Sequence, residues 1–374
     1  FIGDVAGGAV TTGGNNIMIG HLAGDAFDTE TNNLGIGKSA LSGPIAGGEY
    51  NVAIGNGTLD LLTSGDNNVA LGYNAGSAAT TAAGNVLIGA YVAQTGVLTG
   101  SNNVVIGKLA GNDMTGADGN VIIGEDAGAN LTTGDNSIII GQGAGEALTT
   151  GGDNVFIGQA AGNGHDAETN NIGIGKDALG GSIAGGEYNV AIGNYSQDIL
   201  TSGDENVSLG YHSMGGVTTG KENVAIGYTA MQGLTTGDDN IAIGRTAMRN
   251  GVTTGDSNIA IGGEAGDNIT GASGIIAIGH RAGDGLTTGG GGIHIGYDAG
   301  RTYDTENHNI GIGNYSLGSA IAGGENNIAI GYQTLDALTS GDNNVAVGYR
   351  AGSGITTGEQ NVIIGKDAML VATT

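Results

Sequence analysis

The chain has 374 residues, of which 80 are glycine, one is proline (Pro44) and none is cysteine. Its 36 acidic residues outnumber 10 basic ones and give a formal net charge of -26. Such a surface repels nucleic-acid phosphates and anionic membranes, no apolar run approaches the length of a membrane span, and no disulfide braces the fold.

A length of 374 residues would ordinarily mean two or three globular domains. An internal period overrides that expectation. Phe1-Ile2-Gly3 opens in mid-repeat, so the sequence reads as a segment of a longer polypeptide. Asn51-Val52-Ala53-Ile54-Gly55 and Asn68-Val69-Ala70-Leu71-Gly72 follow, and Asn103-Val104-Val105-Ile106-Gly107 and Asn223-Val224-Ala225-Ile226-Gly227 repeat the same phrase. The closing glycines form an evenly stepped series of 22 anchors from Gly3 to Gly365, as Gly55, Gly72, Gly89 and Gly107 illustrate. Residues 1–374 therefore read as one continuous repeat array.

Column by column, each copy reads as strand and turn. Val, Ile or Leu stands one and three positions before the anchor, so those two positions share a strand face and are expected to form the coil's core. Four before the anchor is Asn in 18 of 21 complete copies, with Ser137, Ile275 and Gly292 the exceptions. Stacked from rung to rung, Asn51, Asn68, Asn103, Asn189, Asn223 and Asn327 are expected to form an amide ladder. The column two before the anchor is apolar too, with Ser208 and His294 its polar members. A strand apolar on both faces is buried on both. Met18, Leu87, Val105, Ile122, Ile139 and Phe156 in that column are accordingly expected to face sister chains in an oligomer. The position after the anchor varies freely and reads as solvent-facing. Farther on, an aliphatic residue precedes a Thr-Gly turn, as in Leu131-Thr132-Thr133-Gly134-Asp135.

Strand-like alternation without helical spacing predicts an all-β, parallel β-solenoid of about 22 coils, a β-roll whose rod would be on the order of 100 Å long. A longer period overlies the coils. Asp28-Thr29-Glu30-Thr31-Asn32-Asn33 returns as Asp166-Ala167-Glu168-Thr169-Asn170-Asn171 and, at the same offset, again from Asp304. The super-repeats run from about 28 to 165, 166 to 303, and 304 to 374 in part.

The Asn-Val-Ala-Ile-Gly phrase, followed by a small residue and a Thr-Gly turn, resembles the head repeats of trimeric autotransporter adhesins. Similar repeats occur in phage tail fibres. The resemblance spans essentially the whole chain. It implies a left-handed parallel β-roll, three chains side by side, and a role in attachment. The coils here are longer than that family's, and its membrane anchor and coiled-coil stalk have no counterpart in this sequence.

Candidate chemistry is sparse. Gly35-Ile36-Gly37-Lys38-Ser39 hints at a phosphate loop, but Asn32 stands where that pattern needs glycine. His21, His165, His212, His280, His294 and His308 lack metal-ligand spacing and read as surface or loop residues. Asp28, Glu30 and Asn32, with Asp166, Glu168 and Asn170, supply oxygen donors of the kind Ca²⁺ takes, against the simpler reading of a solvated turn. Phe27, His165 and Tyr303 replace the usual aliphatic residue beside this loop and suggest an outward bulge. Tyr73, Tyr211, Tyr228, Tyr332 and Tyr349 could stack against sugars. Ranks of threonine raise ice binding as an alternative, and polysaccharide processing by a β-helix is a third. No catalytic triad or paired carboxylate stands out. The expected function is a non-enzymatic extracellular fibre segment, on a cell surface or virion, that spaces or presents attachment sites. Its expected partners are copies of itself, in a homotrimer, and a cell-surface glycan or host receptor.

Overall fold

The computed structural model describes residues 1–44, 47–181, 185–250, 254–302, 305–319 and 323–370. Among them there are 21 strands of three residues each and no helix. They form a β-solenoid of about 20 turns. The chain divides into two compact units, Phe1–Tyr188 and Asn189–Thr374. In the first, consecutive strands from β1 (Ile17–Ile19) to β10 (Ile172–Ile174) pair in parallel. In the second, β11 (Val190–Ile192) through β21 (Val362–Ile364) do the same. The register is strict: Ile17 lies beside Leu34, Met18 beside Gly35 and Ile19 beside Ile36.

The anchor glycines make this register possible. Their φ values lie between +128° and +144°, a region closed to residues with a Cβ. Space is closed as well: a Cβ on Gly348 would lie 2.6 Å from the carbonyl oxygen of Gly365, the next anchor. Beyond each anchor the chain turns through left-handed residues that are frequently not glycine, such as Leu22, Leu41, Leu59 and Tyr91 at φ between +50° and +61°. Each such residue costs roughly 1 kcal/mol. Hydrogen bonds between coils offset that cost: Leu41 N–H donates to Thr58 O at 3.0 Å, and Leu59 N–H to Ala75 O at 3.1 Å.

The asparagine column forms the expected ladder, and it is buried. Asn68 donates from its backbone N and from Nδ2 to Asn51 Oδ1, both at 3.0 Å, and from Nδ2 to Ala82 O at 2.7 Å. Its own Oδ1 accepts from Asn85 N and Nδ2. Asn103, Asn223 and Asn327 repeat the arrangement, and Asn189 opens it in the second unit. A buried amide with every donor and acceptor engaged ties three coils together.

The strand faces are reversed from the sequence expectation. Met18, Leu87, Val105, Ile122, Ile139 and Phe156 have no exposed surface, because the strand's central residue points into its own coil. They are core and not an oligomer surface. The coil interior is narrow, and size is balanced across it. At several large strand centres glycine stands four residues past the anchor: a Cβ on Gly24 would meet Met18 Sδ at 2.7 Å, and one on Gly162 would meet Phe156 Cδ1 at 2.5 Å. Where the centre is Gly35, Ala53, Gly173 or Ala225, the facing position is Leu41, Leu59, Leu179 or Met231, all buried.

Two expectations follow for the folding equilibrium. Asn120→Ala strips partners from Asn103 Oδ1, Ser137 N and Gly134 O, and should destabilise by about 3 kcal/mol in urea titrations. Ile122→Ala should cost about 3 kcal/mol. Adding Gly128→Leu should recover much of that loss, because φ of +52° at Gly128 is one that Leu59 and Leu179 adopt at the same place in their coils.

Candidate functional site

Reversal of the strand faces leaves the flanking aliphatic residues outside. In β4 (Val69–Leu71), Val69 and Leu71 are 39% and 44% exposed, while Ala70 between them is wholly buried. Ile17, Ile138, Val207, Leu209, Ile226 and Ile330 are exposed in the same two columns. Each unit thus carries two parallel files of Val, Ile and Leu, about 7 Å apart, with a rung roughly every 4.8 Å. With ten strands in the first unit, the strip covers on the order of 500 Å² in plan. That matches the largest apolar patches of monomeric proteins, which are often functional.

The residue after each anchor faces solvent as expected. Tyr73, Tyr211, Tyr228, Tyr332 and Tyr349 are all exposed there. Tyr211 stacks on Tyr228 with ring centroids 5.4 Å apart and planes 11° apart, and Tyr332 on Tyr349 at 5.3 Å and 11°. Tyr73 meets Tyr91 edge-on at 5.2 Å. Tyr91, Tyr195 and Tyr315, one position later in their coils, join the same files. The sequence reading missed them because it followed a single column, whereas the left-handed turn brings two adjacent columns to one surface.

Beside Tyr73 lies an open groove of about 350 Å³ lined by Lys38, Ser39, Asn56, Asp60 and Asn74. Lys38 and Ser39 come from the stretch that resembled a phosphate loop. In the structure Ser39 sits in a turn at φ +56°, and residues 37–41 contain no helix. Several arginines of the second unit meet carboxylates: Arg245 with Glu264 at 2.8 Å, Arg249 with Asp267 at 3.2 Å, and Arg281 with Asp284 at 3.6 Å.

The acidic loops are built differently from a cation site. Glu30 turns inward, where Oε2 accepts from Asp28 N at 2.8 Å and Thr29 N at 3.1 Å, and Oε1 accepts from Gly47 N at 3.1 Å. Glu168 does the same with Asp166 N, Ala167 N and Gly185 N. Asp28 and Asp166 instead accept from Thr11 and Thr149 of the preceding coil, and the amides of Asn32 and Asn170 donate to Thr31 and Thr169. These oxygens point to separate partners and do not converge. Among the described residues no group of three or more His, Cys, Asp or Glu could hold a metal ion. Phe27 and His165 are buried, so neither bulges outward. Tyr303 and Asp304 lie outside the described residues.

The threonine pairs divide their roles. The first hydroxyl donates to the next coil's backbone, as Thr132 does to Thr149 O at 2.9 Å and Thr201 to Thr218 O at 2.8 Å. The second, such as Thr133 or Thr150, is exposed, but Gly116, Ala167 and Gly271 interrupt that file.

Two of the six histidines are core residues and not surface ones. His165 packs against the Phe156 ring at 4.8 Å, and His294 occupies a strand centre. Burial lowers both pKa values from 6.5 to about 4, with Glu168 pulling weakly the other way at His165. No family model matches the chain, and no curated protein is significantly similar to it.

The depressed histidine values fix the sign of a pH effect. The unfolded chain binds these protons near pH 6.5 and the folded chain only near pH 4. The neutral-core stability is therefore complete above about pH 6.5 and falls as pH drops toward 4, by up to roughly 3 kcal/mol per histidine. Relative to the parent chain, His165→Leu and His294→Ala should each lose less stability between pH 6.5 and 4, measured by urea midpoints across that range.

Proposed function

We propose that this chain is a non-catalytic segment of an extracellular fibre, on a cell surface or virion, in which three copies lie side by side and space or present attachment sites. The observation that carries the reading is the outward double file of Val, Ile and Leu along the strand face of each unit, exposed at residues such as Ile17, Val69, Leu71 and Ile138 and half-buried at most of the others. A few scattered aliphatic residues need no explanation, whereas a regular strip on the order of 500 Å² in plan per unit is costly to leave in water. Copies of the same chain are its natural cover, since their strips match it in rung spacing and in apolar character. Interdigitation of files at the same rung height gives the dense packing that stable homomeric interfaces require.

The distribution of charge supports the same arrangement. The strand face carries no charge in its outward columns, from Ile17 and Ile19 to Val362 and Ile364. Acidic residues sit in the turns, so three chains can meet on their strand faces while the net charge of -26 per copy stays toward water. The resemblance to adhesin head and tail-fibre repeats leads to the same place by a separate route.

Sedimentation equilibrium tests this directly. The expected mass is three times the 36.4 kDa of one chain. Replacing Val121, Ile123 and Ile138 together by lysine should give folded monomers, with circular dichroism unchanged. A parent chain that sediments as a monomer at micromolar concentration would defeat the proposal.

A further inference from the structure

We propose that the groove between Lys38 and Tyr73 is a binding subsite for a neutral pyranose, in an oligosaccharide presented from outside. The inference deepens the attachment reading, since it names the ligand class that one face of the fibre would take.

Four observations converge on it. The groove, about 350 Å³, is open to solvent and of the size that holds a small ligand. Tyr73 forms one wall, exposed but held in a fixed orientation by its edge-on contact with Tyr91 at 5.2 Å. An aromatic face fixed in this way suits the apolar C–H face of a sugar ring.

Asp60 supplies a carboxylate to the groove wall. Its Oδ1 is screened from solvent and has no hydrogen-bond partner, and burial raises its pKa above the usual carboxylate value. At the same place in their coils, Asp267 and Asp284 meet arginines. Lys38 makes no ion pair with Asp60, so the part of the carboxylate that lines the groove is left to accept from a hydroxyl donor. Donors and acceptors line the rest. Asn56, whose Oδ1 accepts from Lys38 N at 2.9 Å, and Asn74 both line the groove.

The pair also returns along the chain. Tyr73 and Asp60 recur in step with the long period, as Tyr211 with Asp198 and as Tyr349 with Asp336. Two other groove positions vary more: Lys38 is kept as Lys176 but becomes Asn314, and Ser39 becomes Asp177 and then Tyr315. The charge of -26 selects against uronate and sialylated glycans, leaving neutral sugars.

The test titrates the full chain with cellohexaose, maltohexaose and chitohexaose, and with hyaluronate hexasaccharide as the anionic control. Calorimetry and tyrosine emission read binding, with no tryptophan present to mask the latter. At least one neutral hexasaccharide should bind with a millimolar or tighter Kd. Tyr73→Ala should weaken it at least tenfold, Tyr73→Phe should stay within about twofold, and Asp60→Asn should weaken it several-fold. Failure of all three neutral probes, binding indifferent to Tyr73→Ala, or equal binding of hyaluronate would overturn the proposal. Sedimentation of the same samples keeps the two readings apart, because Tyr73 and Asp60 lie off the aliphatic face: a trimer that ignores sugar refutes the subsite alone, whereas a monomer that binds it refutes the side-by-side arrangement alone.

Discussion

Coil-to-coil registration, held by a buried amide in most turns and a glycine in every one, is the constraint on which this structure depends. The asparagine before most strands commits its side chain to its neighbours above and below, and the anchor after the strand leaves no room for a Cβ. With both ends of a three-residue strand fixed, neither register nor facing can slip. The remainder of each coil can then tolerate left-handed leucines, methionines and tyrosines that would be costly elsewhere. Nearest-neighbour terms of this kind add along a solenoid, so no large core is needed.

Much of this was legible in the sequence, and the reasons are physical. A short, nearly constant period closed every time by glycine can be satisfied only by identical turns, so the solenoid and the asparagine ladder followed at once. The direction of the strand faces did not. Both faces are apolar, and alternation alone cannot say which of two apolar faces is inside. The deciding signal lay farther off, in the exchange of volume between the strand centre and the residue four past the anchor: Met18 with Gly24, Phe156 with Gly162, Ala53 with Leu59. Residues that trade size must touch, and they can touch only across the coil interior.

Other local misreadings share a cause. His165 and Phe27 suggested an outward bulge because they replace the usual aliphatic residue beside the acidic loop, but they fill that residue's inward column and are buried. Glu30 looked like a cation ligand because carboxylates usually face water. In a coil this tight, a carboxylate turned inward satisfies three backbone N–H groups that have no other partner in the turn. The reassignment of the faces leaves the functional reading in place but moves it. Self-association is now proposed on the columns flanking the strand centre, while the tyrosine and threonine turns remain free for other contacts.

The inward strand centre and outward flanks are the claim from which the rest is argued, and the absence of native cysteine makes it open to direct measurement. Single cysteines at positions 121, 122 and 123, one per variant, can be reacted with a maleimide at dilutions where chains are separate. The account predicts rapid labelling at 121 and 123 and protection at 122 until the chain is unfolded. Fast labelling at 122 with protection at 121 and 123 would contradict it.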